Sequence, residues 1–422
     1  MISRRMESLV LPDEKERVAE SGLERDLTVE QIWSDQELFV SRAAWESLFN
    51  EAAVQNPFLS WGWISAWWCH FGAGKQLAVL FIRRRGELIG IAPFYQSDVR
   101  SLGMTFRALS LLGDQGVGSD YLDFLSRKGC EREVAEAVIG YLSKGAHGWD
   151  IITLRHLAHD SMHLPVLLGV SQRGWQVRQE EGEVCPYLTL PPTWDDYLNR
   201  LSSSMRYTIR RKLRALEREH RVEWVVLDQP ESGRVGMERL IALHQKRWSE
   251  QGGSDAFVSE VKTPFHRETA DYFFQKRIAR LFSLQVDGET VAALYGFVVK
   301  DRFFYYQAGF DPAWKDKSVG MVLMAKCIQY AIAQRWSEFD FLRGPEAYKT
   351  HWTSDERRTV HLLLTPPQWK AGCYLTLRAS ERAARRWAGR LLPEGWIERM
   401  RQARRKRSVA EEQSYETGKS KR

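Results

Sequence analysis

Apolar and polar positions alternate most regularly between Leu281 and Gly309, and this pattern predicts three consecutive strands. The strands run from Leu281 to Val286, from Thr290 to Val299 and from Arg302 to Gly309. An AspGly pair and a LysAsp pair separate them, and such pairs are typical of tight hairpin turns. We therefore expect an antiparallel meander here.

A helical pattern and a short strand follow the meander, and the first half of the chain repeats this order more faintly. Such self-similarity indicates an internal duplication. The mixture of strands and helices predicts an α/β protein built from two related halves. The segments concerned are Met321–Gln334 and Glu338–Leu342 in the second half, and Leu77–Ile82, Leu88–Tyr95, Glu131–Ser143 and Asp150–Leu154 in the first.

Two further helices carry residues of chemical interest. The first is strongly basic and is predicted from Ser202 to Glu217, with Arg206 and Arg210 one turn apart on one face. Its buried stripe consists of Ile209, Leu213 and Leu216. The second helix, from Met237 to Gln251, carries His244 and Trp248, also one turn apart.

The composition predicts two folded domains inside the cell. A chain of 422 residues, 44% of them hydrophobic, is too long for one ordinary domain and can bury substantial cores. No apolar run approaches the roughly 18 residues that a membrane-spanning helix needs, and the start of the sequence lacks the apolar core of a signal peptide. We expect a soluble, cytoplasmic protein.

The formal net charge of +7 is located in the C-terminal tail. Residues 366–422 contain 15 Lys or Arg and 6 Asp or Glu, a balance of +9, so the preceding residues sum to about −2. A solvated helical tail is the simpler interpretation of this pattern. Weak contact of the tail with RNA or with the inner surface of the membrane is the alternative.

The expected domain boundary lies near Pro186–Trp194, which has the pattern of a strand that leaves through a rigid turn. We predict a poorly ordered N-terminal segment at residues 1–27, one domain at 28–190, a second at 191–365 and the basic helical tail at 366–422. The five cysteines are scattered, with no CxxC pair, so we expect neither a disulfide framework nor a metal site.

The junction between the meander and the next helix is a candidate anion site. The first turn of a helix has free backbone N–H groups and the positive end of the helix dipole, so it binds phosphate readily. Gly320 would allow an anion to approach closely, Ser318 could cap the helix or donate to the anion, and Lys315 and Lys317 add positive charge. An ordinary structural turn is the alternative.

Four segments together resemble a known family, the GNAT-superfamily acetyltransferases of the CelD type from cellulose biosynthesis. They are Asn56–Trp68, Leu243–Trp248, Tyr305–Lys315 and Phe339–Trp352, and the resemblance extends over residues 28–365. Such proteins look like relatives of the FemAB peptidyltransferases. The resemblance implies two tandem GNAT-like domains, each with a mixed, mainly antiparallel sheet flanked by helices, and an acyl-CoA site in the second domain.

In this superfamily the loop and helix after the fourth strand hold the pyrophosphate of acyl-CoA, and exposed backbone of that strand pairs with the pantetheine arm. The resemblance assigns the arm to Tyr306, Gln307 and Ala308. It assigns the pyrophosphate to Lys315, Ser318, Val319, Gly320 and Met321. The sequence departs from the family pattern at Ser318, where a glycine is usual.

Attack of an amine on a thioester needs a neutral amine, hence a base or a water relay, and donors for the oxyanion. His244 and Asp340 are candidate bases, each with an ordinary structural role as the alternative. For Asp340 that role would be the outward side of an alternating strand. Tyr348 and Lys349 follow the strand end, where ligands of α/β proteins collect. They could contact an acidic acceptor or protonate the departing thiolate.

Other residues are candidates for the acceptor site. Arg206 and Arg210 could face a cleft between the domains, with a solvated basic face as the alternative, and Trp248 could form a pocket wall or pack in the core. The glycine-rich stretch at 112–125 runs into the apparent strand TyrLeuAspPheLeu rather than into a helix, which favours a structural turn over a phosphate loop. The resemblance places Asp120 and Tyr121 of this stretch in the acceptor cleft.

The leading hypothesis is transfer of an acetyl or longer acyl group from coenzyme A to a small-molecule amine. The resemblance alone implies the substrate class, an amino sugar or nucleotide sugar of envelope or exopolysaccharide synthesis. Two alternatives stay open. One keeps the fold and replaces the donor with aminoacyl-tRNA, as in FemAB relatives, and the other is a non-catalytic GNAT-like scaffold in a polysaccharide-synthesis complex.

Overall fold

The computed structural model describes residues 26–144, 148–249, 257, 259–344 and 346–391. The N-terminal segment predicted to be poorly ordered therefore lies outside the described residues up to position 25. The elements of the first half are β1 (Leu27–Ile32), α1 (Asp35–Val40), α2 (Arg42–Glu51), α3 (Trp61–Phe71), β2 (Gln76–Leu77), β3 (Val79–Arg84), β4 (Glu87–Ala92), β5 (Phe94–Ser101), β6 (Met104–Leu111), β7 (Leu125–Ser126), α4 (Glu131–Ser143), β8 (Ile151–Ala158), α5 (Leu164–Gly169) and β9 (Gln176–Thr189).

The second half begins after β9 and ends with a long helix in the predicted basic tail. Its elements are α6 (Trp194–Arg200), α7 (Ser203–Glu219), β10 (Val222–Leu227), α8 (Pro230–Ser249), α9 (Lys262–Gln275), β11 (Ala279–Val286), β12 (Glu289–Val299), β13 (Arg302–Phe310), α10 (Val319–Ala333), β14 (Glu338–Asp340), β15 (Glu356–Thr365) and α11 (Trp369–Leu391). The remainder of the tail, residues 392–422, lies outside the described part of the chain.

Eleven strands form one continuous sheet in the order β10-β11-β12-β13-β14-β9-β15-β8-β6-β5-β2, and β1-β3-β4-β7 form a second sheet. Neighbouring strands are antiparallel, except that β13 pairs with β14, and β6 with β8, in parallel. β9 pairs with β14 and β15, and β15 also pairs with β8. The two halves thus share strands, and the sheet continues past the boundary expected near residue 190.

The predicted meander is confirmed, because β11, β12 and β13 pair consecutively and antiparallel. In the turn between β11 and β12, Asp287 and Gly288 have φ angles of 53° and 89°. A tight hairpin turn of this kind requires left-handed backbone at both central residues, which Asp and Gly tolerate. The AspGly pair in the sequence therefore sets the register of the first two strands.

Helix α3 joins the halves through its aromatic face. The Asn56 side chain accepts a hydrogen bond from the backbone N–H of Phe58, which starts the short 3₁₀ turn leading into the helix. Trp63 of α3 is fully buried and packs edge-on against Phe265 of α9. Gly62 is needed at the contact, because a Cβ atom there would lie 2.0 Å from the Tyr272 ring. The first-half core therefore continues beneath α8 and α9.

The other side of the second-half sheet has its own core. Buried side chains of α10 pack there with Phe282, Phe303 and Phe339, and α6 and α7 cover the cluster. Ile209 and Leu216 of the predicted α7 stripe are each 1% exposed, and Leu213 is partly buried beside them. The amphipathic pattern of α7 thus correctly predicts which of its faces is packed.

The apparent strand TyrLeuAspPheLeu is wrong in extent, since only Leu125 and Ser126 are extended as β7. Tyr121 has a left-handed φ of 55°, which breaks a strand. The Asp123 carboxylate accepts hydrogen bonds from Ser161 and its own neighbour Phe124, and contacts His163, so local polar contacts fix a loop instead.

In the described residues, no helix combines the length and apolar character needed to cross a bilayer.

Candidate functional site

Strands β13 and β14 separate after a short parallel contact. They pair only where Arg302, Phe303 and Phe304 face Glu338, Phe339 and Asp340. β14 ends there, because the chain turns at Leu342, whose φ is 54°, whereas β13 continues to Phe310. In the described chain, no strand pairs with this side of β13 beyond Phe304. The resulting β13–β14 opening leaves this edge of β13 without a strand partner.

A β-bulge lies at the start of the opening. Tyr295 pairs with Gln307 and Gly296 with Tyr305, which leaves Tyr306 as the extra residue of β13. The Tyr306 hydroxyl donates to the Val117 carbonyl at 2.5 Å. The side chain of Tyr306 therefore anchors β13 to the first half, and only its backbone remains for the predicted contact with a ligand, as for half-buried Gln307 and Ala308.

The turn after β13 prepares the start of α10. A 3₁₀ turn spans Pro312–Lys317 and ends at Ser318, whose left-handed φ of 58° redirects the chain into the helix. The first hydrogen bonds within the helix run from the N–H groups of Met321 and Val322 to the Ser318 carbonyl. The N–H groups of Val319 and Gly320 precede these bonds and lie at the positive end of the helix dipole.

The side chains of this turn leave its outer surface accessible. Val319 is fully buried and anchors the helix, whereas Gly320 and Lys315 are exposed. A Cβ atom at Gly320 would meet only Phe310, at 3.6 Å, which is ordinary van der Waals contact. Ser318 makes no side-chain cap to the helix. An anion at the predicted site would therefore not have to displace a side-chain cap.

Asp340 is fully buried at the end of β14 and does not face outward. Its Oδ1 accepts hydrogen bonds from the Leu342 N–H at 2.7 Å and the Tyr121 hydroxyl at 3.2 Å. Burial raises the pKa of Asp340 to about 6, against the opposing effect of Arg357. In this conformation the Asp340 carboxyl supports the loop that follows β14.

Asp120 supports the same loop from the first half. Its Oδ2 accepts a hydrogen bond from the Arg343 N–H at 2.9 Å, and its Oδ1 lies 3.4 Å from the Arg343 Nε. Burial raises the pKa of Asp120 to about 7, although Arg343 lowers it. Asp120 is 0% and Tyr121 6% exposed, so neither side chain lines an open cleft in this structure.

Lys349 and Tyr348 occupy different environments although they are neighbours. The Lys349 ammonium is buried and donates to the carbonyls of Arg343 at 2.8 Å and Leu342 at 3.3 Å. Tyr348 is 36% exposed, and its hydroxyl donates to that of Tyr305 on β13. Desolvation and the nearby Tyr305 raise the pKa of Tyr348. Tyr348 is thus the predicted catalytic side chain that combines solvent access with contact to β13.

His244 lies on the helix that packs across β13, away from solvent. A Cβ atom at Gly309 would come within 2.8 Å of the His244 backbone nitrogen, so helix and strand touch here. The His244 ring is 2% exposed and packs edge-on against Phe257. Burial lowers its pKa to about 4, which keeps the imidazole neutral. These features are those of a core histidine.

The predicted acceptor residues of the second half are not brought to Asp340. Arg206 donates to the Asn199 side chain, and Arg210 lies 3.8 Å from Asp195, both on the exposed side of α7. They line a groove of about 1150 Å³ between α7 and the turn at Asp316 and Lys317. The side chain of Trp248 lies outside the described part of the structure.

A polar cluster near the opening escaped the sequence analysis. It consists of His156 on β8, Glu183 on β9, His361 on β15 and Arg343 after β14. Bulges in the β8–β15 and β9–β15 pairings and the left-handed φ of 58° at His156 were not visible in the pattern of the sequence. An arginine directly after the β14 segment was the available signal.

The two histidines and Glu183 have the composition of a metal site, with ligand atoms within 4.8 Å of one another. The His361 Nδ1 accepts a hydrogen bond from the His156 N–H, so in the neutral ring the proton sits on Nε2, which faces Glu183 at 3.4 Å. The Arg343 guanidinium also contacts the His156 ring. Burial, assisted by Arg343, lowers the pKa of His156 to about 3. A hydrogen-bonded cluster explains this arrangement better than a cation.

Comparison with known proteins identifies the second half. Residues 203–350 match the family model of the acetyltransferase (GNAT) domain. The crystal structure of FemX superposes with a TM-score of 0.53 at 12% identity, over 76% of this chain and 95% of that chain. A conserved protein of unknown function from Bacteroides thetaiotaomicron gives 0.51 at 11% identity, over 80% and 100%.

A tandem GNAT protein from the clavulanic acid biosynthesis pathway gives a TM-score of 0.41 at 12% identity, over 81% of this chain and 100% of that chain. No curated protein sequence matches the chain. At the identity shared with FemX, the likeness establishes the fold. Residues 203–350 match the GNAT acetyltransferase domain, and the chain as a whole has the fold of FemX.

Proposed function

We propose that the protein is an acyl-CoA-dependent N-acyltransferase. The observation that carries the proposal is the β13–β14 opening, whose unpaired strand edge leads to the free N–H groups at the start of α10. A strand edge can pair with the amides of a pantetheine arm. A helix start beside a glycine can hold a diphosphate. The order of these two features along the chain matches the order of the two groups in coenzyme A.

In this proposal the backbone of Tyr306, Gln307 and Ala308 binds the arm. The N–H groups of Val319 and Gly320, which precede the first hydrogen bonds of α10, bind the pyrophosphate, and exposed Lys315 adds charge. The neutral amine attacks the thioester carbonyl, forming a C–N bond as the C–S bond breaks. The amine loses one proton and the departing thiolate gains one, so no other reactant is needed.

Tyr348 is the proposed acid for the thiolate. Its hydroxyl carries a proton near neutral pH, as in any tyrosine, and its contact with Tyr305 holds it beside β13. Asp340, Asp120 and Lys349 are assigned the task of fixing the loop that carries it. Water takes the proton that the acceptor amine loses. His244 does not take it, because His244 is buried in the core.

The acceptor is proposed to be a small-molecule amine. An amino sugar or nucleotide sugar of envelope or exopolysaccharide synthesis is the class that the CelD resemblance favours. Acetyl-CoA and longer acyl-CoAs should therefore be titrated calorimetrically, and release of free coenzyme A thiol measured with a panel of amino sugars, amino acids and polyamines. Saturable binding and amine-dependent thiol release are expected. Absence of both would contradict the acyltransferase proposal and favour a non-catalytic scaffold.

A second candidate keeps the fold and uses aminoacyl-tRNA as donor. The observation in its favour is the row of arginines on α7, since basic surfaces bind phosphate backbones. Binding of tRNA with steep salt dependence, together with no affinity for acyl-CoA, would support this candidate over the first.

A further inference from the structure

A groove beside α7 is strongly basic. Arg206, Arg210, Arg211, Lys212, Arg214 and Lys317 contribute to its lining of charged side chains. Arg211, Ala215 and Arg218 are spaced four and three residues apart, so they lie on one face of α7. Ala215 also lines the groove.

The positive charge of this groove is only partly neutralised. Of the acidic lining residues, Glu219 already pairs with Lys317 and with Arg218. In the part of the chain that the structure describes, no carboxylate pairs with Arg211 or Arg214, and the Arg211 guanidinium lies over the Tyr207 ring. A groove with two guanidinium groups that no carboxylate neutralises favours a ligand with concentrated negative charge.

The groove is attached to the turn that precedes α10. The Lys212 ammonium donates to the Asp316 carbonyl at 3.0 Å, and Asp316 and Lys317 form that end of the groove. Ser318 follows immediately, and it begins the turn assigned above to the pyrophosphate. A donor bound with its pyrophosphate at this turn would therefore have its remaining phosphate close to α7.

We infer that the α7 groove binds the 3′-phosphate of the coenzyme A donor, with Arg211 as the principal contact. The inference rests on the proposed function and adds a specificity element to it. A guanidinium can form paired, charge-assisted hydrogen bonds to a phosphate. Arg211 and Lys317 line the same groove, so a phosphate bound there is held between α7 and the turn.

Calorimetric titration of the full chain with acetyl-CoA and with acetyl-dephospho-CoA tests this inference. Acetyl-CoA should bind about tenfold more tightly, the factor expected from one or two charge-assisted contacts. Arg211→Gln should weaken acetyl-CoA binding by about tenfold and leave acetyl-dephospho-CoA unchanged. Arg100→Gln, at an exposed arginine of β5 in the first half, is the matched control and should change neither.

The other possible outcomes separate the inference from the function on which it rests. Equal affinity of the wild-type protein for both ligands, or equal weakening of both by Arg211→Gln, would overturn the 3′-phosphate assignment and leave the acyltransferase proposal standing. Absence of binding by either ligand would contradict the proposed function and the inference with it. Loss of tRNA binding in Arg211→Gln, without preference between the thioesters, would assign the groove to the second candidate.

Discussion

The Tyr121 hydroxyl of the first half donates a hydrogen bond to Oδ1 of Asp340 at the end of β14, at 3.2 Å. Both side chains are buried, so losing the donor leaves a carboxylate oxygen less well satisfied. We expect Tyr121→Phe to lower the free energy of unfolding by about 1–3 kcal/mol. Combined with Asp340→Asn, its effect should shrink, because the two residues share the contact. Urea denaturation of the wild type, the two single variants and the double variant tests this prediction. Strictly additive effects on the free energy of unfolding would contradict it.

Asp340 should also give the protein a characteristic pH dependence. Burial raises its pKa from 3.8 to about 6, so the unfolded chain releases the proton at lower pH than the folded protein does. Ionised Asp340 therefore opposes folding increasingly from about pH 4 to about pH 6, by at most about 3 kcal/mol for a shift of this size.

The stability of Asp340→Asn relative to wild type should accordingly increase as the pH rises from about 4 to about 7. Denaturation curves at several pH values measure this difference. Asp98→Asn, at an exposed position of β5, is the control and should show no such trend. A constant difference for Asp340→Asn would show that its carboxyl titrates normally.

Lys349 should behave as a structural residue. Its ammonium is 3% exposed and satisfies the carbonyls of Leu342 and Arg343. Lys349→Ala leaves both acceptors without this donor, so we expect a loss of about 2–4 kcal/mol in the free energy of unfolding. Thermal or urea denaturation measures it. Unchanged stability with abolished turnover would instead assign Lys349 to catalysis.

His244 should not appear in the pH profile of the reaction. Its pKa is lowered to about 4 by burial, so the ring stays neutral from about pH 5 upwards. We expect His244→Gln to destabilise the core and to leave the inflections of kcat against pH between about 5 and 9 unchanged. Disappearance of an inflection near neutrality in the variant would identify His244 as the base.

The sequence predicts local features well where one pattern determines them. The AspGly turn, the stripe of Ile209, Leu213 and Leu216, and the glycine at the start of α10 depend on nearby residues, and the structure contains each of them. Helix α4 has the predicted limits, Glu131–Ser143. Periodicity and turn chemistry are sufficient for such features.

Contacts between distant strands could not be predicted in this way. The pairing of β15 with β8 and β9 joins residues about 200 positions apart, and no local pattern encodes it. Asp340 contacts Tyr121 of the first half, and the cluster around His156 lies at two bulges, which no local pattern indicates. The sequence therefore predicts the candidate site residues. It does not predict which of them the other half of the chain buries.

The turn at Gly320 carries the central claim, namely that the start of α10 holds the pyrophosphate of an acyl-CoA. Gly320→Glu places a carboxylate at this position, where space exists and where the helix dipole favours an acid, so folding should be preserved. Gly320→Ala adds the Cβ atom without the charge and is the matched control.

Calorimetric titration of the wild-type protein and both variants with acetyl-CoA is the most direct measurement. The account predicts saturable binding to wild type and to Gly320→Ala, and loss of at least about two orders of magnitude in affinity for Gly320→Glu, because a carboxylate would repel the diphosphate at close range. Acetyl-CoA binding of equal strength to Gly320→Glu and to wild type would contradict it.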